Sequence, residues 1–147
     1  MGILSTNEKR QLVFTNVEYK FTLTFPAGWM VWNEAYKSGY VQVFNYPQEL
    51  ASPKGGFVGK SGLNKIETYI LNSNVYTRSL EYPEKEISSE NIVFGLNTFT
   101  KTRVELQDGE KFVSYYIQVP ETNKFLNVVI YGDEKNFSVL ETVLKGL

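Results

Sequence analysis

The chain of 147 residues contains no cysteine and no histidine. Without a thiol there is no disulfide and no cysteine nucleophile, and without thiol or imidazole the common zinc donor sets cannot be assembled. General acid–base chemistry through imidazole is excluded as well. Aspartate is nearly missing: Asp108 and Asp133 stand against fourteen glutamates, so the closely spaced Asp and Asn ligands of a calcium loop do not occur. Lysine and arginine are scattered, the longest run is Lys9-Arg10, and the formal net charge is -1. Nucleic acid and anionic membranes attract clustered cations, so no nucleic-acid partner is expected. No apolar run approaches the roughly 18 residues of a membrane span, and no cofactor motif survives inspection.

What the chain has is aromatic rings. Ten Tyr and ten Phe supply most of a 15% aromatic content, and such residues favour pleated, half-buried strands. At this length a single domain buries about 70% of its unfolded surface, so a full core is available.

Period-two alternation is clearest from Glu18 to Phe25, where Tyr19, Phe21, Leu23 and Phe25 alternate with Lys20, Thr22 and Thr24; this predicts a strand with one buried face. Trp29–Trp32 and Tyr40–Tyr46 read as two further strands, with Ser38-Gly39 between them as a hairpin tip. Residues 47–62, rich in Pro and Gly, read as a long connection of the kind that often carries function. Leu63–Leu71 resumes as a strand through Ile66, Thr68 and Ile70. Residues 77–90 are polar and hold Pro83, which predicts a short additional helix or an irregular crossover. Leu96–Leu106, Lys111–Val119 and Phe125–Tyr131 read as a three-stranded meander, its first turn marked by Asp108-Gly109. Asp133 is the expected N-cap of a closing helix whose Phe137, Leu140, Leu144 and Leu147 form one apolar stripe. The expected fold class is α+β: a mostly antiparallel sheet packed by a C-terminal helix. Residues 1–11 are expected as a flexible N-terminal tail or an expression remnant, and 12–147 as a single domain.

Three motifs invite chemistry. Gly55-Gly56-Phe57-Val58-Gly59-Lys60-Ser61 imitates a phosphate-binding loop, but Lys54 occupies the first glycine position and the flanks do not read as buried strand and helix. A glutamate pair could serve a small hydrolase, yet nothing in the spacing selects one; Glu81, Glu84, Glu86 and Glu90 read as a solvated face. Asn136-Phe137-Ser138 matches a glycosylation sequon on the buried stripe and reads as chance. Catalytic residues are therefore not assigned. Exposed aromatics offer rigid stacking surface for a small molecule or glycan, and the candidates around the long connection are Trp32, Tyr36, Tyr40, Tyr46, Phe57 and Lys60.

Tyr19-Lys20-Phe21-Thr22-Leu23-Thr24-Phe25-Pro26-Ala27-Gly28-Trp29 is an aromatic strand ending in Pro-x-Gly-Trp. With Asn64-Lys65-Ile66-Glu67 and the closing strand and helix after Phe125, it resembles the PsbP-like family, which includes the extrinsic protein of photosystem II and bacterial secreted domains and lipoproteins. The resemblance spans about residues 12–147 and implies a PsbP-like α/β/α sandwich acting as a non-catalytic, extracytoplasmic accessory or binding domain, secreted, periplasmic or lipoprotein-anchored, with a cytoplasmic location as the alternative. It implies an unknown protein partner and a membrane tether through a segment absent from this sequence; a monomer is expected rather than an obligate oligomer. The histidines that plant members use are missing, so their metal and photosystem roles do not carry over.

Overall fold

The computed structural model describes residues 1–31, 34–46, 62–72, 84–106 and 111–147. Among the described residues there are two antiparallel sheets. A three-stranded sheet has the order β1(Gly2–Thr6), β2(Gln11–Asn16), β3(Phe21–Ala27). A six-stranded sheet runs β4(Gln42–Phe44), β5(Asn64–Leu71), β9(Phe125–Gly132), β8(Lys111–Gln118), β7(Asn97–Leu106), β6(Glu84–Phe94). The chain closes in a helical segment: a 3₁₀ turn Glu134–Asn136, the α-helical turn α1(Phe137–Leu140) and a 3₁₀ turn Glu141–Gly146. The fold is α+β, mostly antiparallel sheet with a C-terminal helix, as the alternation and the terminal stripe predict.

Side-chain alternation divides the large sheet into two faces. Ile66, Val113, Tyr115, Leu126, Val128 and Ile130 point to the inner face. There they join Phe14, Leu23 and Phe25 of the small sheet and Phe137, Leu140, Val143 and Leu144 of the closing segment in one core cluster. The small sheet and the helical segment thus cover the inner face side by side. Each fully buried Phe or Leu contributes roughly 1.5–3 kcal/mol. The outer face carries a second cluster of Val104, Phe112, Val129 and Tyr131, set among buried polar groups, Ser114 and Asn127.

Three expectations are corrected. Residues 2–6 are not a loose tail but β1, paired with β2 from Gly2↔Asn16 to Thr6↔Leu12. Gly2 makes this possible, because a Cβ there would lie 1.9 Å from the Tyr36 carbonyl oxygen. Trp29–Trp32 forms no regular strand in its described part: Met30 makes an isolated bridge to Phe44, and a 3₁₀ turn Ala35–Ser38 replaces the expected hairpin tip. Residues 84–90 belong to β6, an 11-residue strand paired with β7 through a register shift between Glu86 and Ser88; of the predicted crossover, 77–83 lie outside the described residues, as do 107–110 with the Asp-Gly turn.

A clasp of amide side chains fixes the start of β5. Asn64 is fully buried. Its Nδ2 donates to the carbonyls of Tyr131 and Asp133, each at 3.0 Å, and its Oδ1 accepts from Asn136 Nδ2 at 2.8 Å. Asn45 takes the Asn64 N–H at 2.8 Å and donates to the Gly62 carbonyl at 2.8 Å. Gly132, with φ of 104°, lets the backbone pass: a Cβ would sit 2.2 Å from the Leu63 carbonyl oxygen.

Candidate functional site

Where the small sheet, the closing segment and the end of the large sheet meet, a cavity of about 610 Å³ remains. The β2–β3 turn, β3, the β8–β9 turn and the end of the chain all contribute to its lining. Ile117 and Leu126 come from the inner face of the large sheet, Phe21 from β3 and Leu147 from the closing segment. Lys20, Gln118 and Glu121 are exposed and make the polar part of the rim. An apolar interior with a few polar groups at the mouth, in the range of about 300–1,000 Å³, is the form small-ligand sites take. Lys20 and Glu121 have φ of 58° and 62°, the left-handed region that costs a side chain about 1–2 kcal/mol. Arg10, which lines neither cavity described here, has φ of 61°, so the strain belongs to how these turns are built and does not by itself mark the site.

A second cavity, about 380 Å³, opens between the β2–β3 turn and the far ends of β5 and β9. Tyr40 and Tyr69 line it as a stacked pair, with ring centroids 6.1 Å apart and an interplanar angle of 16°. Glu18, Asn72 and Lys124 bring charge and amide groups to its wall, and Lys124 Nζ donates to Asn72 Oδ1.

Two Lys–Glu–Tyr groups stand on opposite faces of the large sheet, and Tyr69 of the first lines the second cavity. On the outer face of β5, Lys65 Nζ is 3.0 Å from Glu67 Oε1 and 4.6 Å from the Tyr131 ring centroid, and Tyr69 Oη donates to Glu67 Oε2. On the inner face, Lys101 Nζ and Tyr115 Oη both donate to Glu141 Oε1. Burial first, then the hydrogen bond to Glu141 and its negative charge, pushes the Tyr115 phenol far above its ordinary range. Near the clasp, hydrogen bonds from the Gly62 and Lys135 N–H groups hold the Asp133 carboxyl below its usual value. The Lys135 bond, at 3.1 Å, is the N-cap expected of Asp133.

Of the six aromatic and basic candidates, Trp32, Phe57 and Lys60 lie outside the described residues, as does most of the connection 47–62 and its phosphate-loop imitation. Tyr46 is 1% exposed and packs edge-on against Phe44 at 5.4 Å, so it offers no face to solvent. Tyr36 is partly buried against the main core. Tyr40, 38% exposed, is the described candidate that reaches a cavity. Of the three described candidates, then, Tyr46 is buried, Tyr36 packs on the core and Tyr40 stacks on Tyr69. Lys65, Glu67 and Tyr69 were within reach of sequence reasoning, since opposite charges two residues apart on a strand share a face. The seam cavity was not, because its walls come from turns and ends separated by about a hundred residues. Phe137 is buried, in keeping with a chance sequon.

Among the described residues no group of three acidic side chains is placed to hold a metal ion, and no helix is long and apolar enough to cross a membrane. No family model and no curated protein matches the chain.

Proposed function

We propose that this chain is a non-catalytic binding domain of an accessory protein and that the seam cavity is its ligand site. The observation that carries this reading is the cavity of about 610 Å³ with Phe21, Ile117, Leu126 and Leu147 inside and charged or polar residues at the mouth. That arrangement suits an amphipathic small molecule or an apolar side chain of a protein partner. The non-catalytic part rests on how the buried carboxylates are spent. A hydrolase built on a glutamate pair needs both carboxylates about 5–10 Å apart across one cleft, whereas Glu67 and Glu141 occupy opposite faces of the large sheet, each held by a lysine and a tyrosine. The Pro26-Ala27-Gly28-Trp29 signature and its PsbP-like resemblance support an extracytoplasmic setting.

The test is a titration with anilinonaphthalene sulfonate, an amphipathic dye, read by fluorescence and by thermal melting. A ligand that binds only the folded state raises the melting temperature. Binding that is lost in Ile117→Trp, with the circular dichroism spectrum retained, supports the seam as the site. Dye binding unchanged in that variant, or no shift of melting at saturating dye, removes it.

A further inference from the structure

We propose that the cavity beside the Tyr40–Tyr69 ring pair is a second, independent binding site, and that it takes a neutral saccharide. Sugars present two kinds of surface: a C–H face that packs on an aromatic ring, and a girdle of hydroxyls that donate to carboxylates and amide oxygens and accept from ammonium and amide groups. Both complements meet at this cavity. Tyr40 is 38% exposed, lines the cavity and stacks on Tyr69 with ring centroids 6.1 Å apart. Tyr69 is itself fixed from behind, because its hydroxyl donates to the buried Glu67. The stacking surface is thus set in place before any ligand arrives, which removes much of the ordering cost of binding. Facing it, Lys124 is tethered to Asn72, and Glu18 supplies a carboxylate from the β2–β3 turn. One cation and one carboxylate on the same wall leave no net charge to recruit an ion, so the hydroxyl-rich ligand expected here is uncharged. A cavity of about 380 Å³ lies within the range of small-ligand sites.

The experiment is an NMR titration of the full chain with cellobiose, maltose and N,N′-diacetylchitobiose, and with glucuronate as a charged comparator. Saturable shifts at Tyr40 and Tyr69 with at least one neutral disaccharide are expected. Tyr40→Ala should weaken that binding at least about tenfold, Tyr40→Phe should keep it within about threefold because the stacking ring remains, and Ile117→Trp in the seam should leave it unchanged. The last variant separates this site from the seam, since failure of one reading leaves the other standing. The proposal is overturned by the absence of saturable shifts with all three neutral sugars at about 50 mM, by equal binding in Tyr40→Ala, or by tighter binding of glucuronate than of any neutral sugar.

Discussion

The two Lys–Glu–Tyr groups use the same three side chains on opposite faces of the large sheet, yet they do different things. Lys65, Glu67 and Tyr69 sit at alternate positions of one strand, so their mutual bonds hold together residues the strand already holds together. Lys101, Tyr115 and Glu141 come from β7, β8 and the closing segment, so their bonds fasten the C-terminal helix to the sheet. The ion pair of the first group is slightly the more buried, with lysine and glutamate side chains 13% and 7% exposed against 17% and 16% in the second, whereas the tyrosine of the second group, Tyr115, is fully buried and Tyr69 only partly so. The difference therefore lies in connectivity: the local group joins residues of one strand, the long-range group joins three elements.

That contrast can be broken by removing each glutamate. Glu67→Ala removes the buried carboxylate that the Lys65 ammonium and the Tyr69 hydroxyl share, and should cost about 3 kcal/mol in urea unfolding; a loss below about 1 kcal/mol would place the pair energetically at the surface. Glu141→Ala should cost less, about 2 kcal/mol, because the closing segment can loosen and let water reach Lys101. Its distinguishing mark is local: amide exchange should quicken over residues 141–147 and stay unchanged in β5. If exchange quickens equally in both, the fastening role is refuted.

A smaller effect appears with alkali. Below about pH 10 the Tyr115 phenol is protonated in both folded and unfolded chains, and stability gains no slope from it. Above that pH the unfolded chain releases the proton while the folded chain, with its raised pKa, keeps it. Stability then falls by about 1.4 kcal/mol per pH unit. Tyr115→Phe should remove that increment of slope, measured as urea stability against pH. Least of all, replacing the whole local group by Lys65→Met, Glu67→Leu and Tyr69→Phe together should change stability by no more than about 1 kcal/mol, because buried ion pairs and apolar residues of similar volume are nearly equivalent. A large loss would show that the local group does more than satisfy itself.

The sequence made some of this visible and hid the rest for physical reasons. Strand β3 and the stripe Phe137, Leu140 and Leu144 were legible because each contrasts one apolar face with one polar face. Strand β5 was read through Ile66, Thr68 and Ile70, and the same alternation held the outer-face group in plain sight. Residues 84–90 were misread because charge and a preceding proline suggest solvent, whereas β6 is an edge strand, where charged residues protect an unpaired side. Tyr46 was misjudged because composition cannot say which aromatic points inward. Strand β1 was hidden by Gly2, whose value lies in the close approach of Tyr36 and not in any propensity of its own.

The place of β9 has a bearing on how the protein is made. Strand β9, which follows every other strand of the large sheet in sequence, is a central one, lying between β5 and β8. Until it arrives, the large sheet exists as two fragments with open edges, and Asn64 waits for the Tyr131 and Asp133 carbonyls and the Asn136 amide. Contacts of such long separation slow folding and leave nascent edges prone to association. Assembly of the large sheet is thereby deferred until translation has passed the clasp, and the half-made chain is the species most in need of a chaperone.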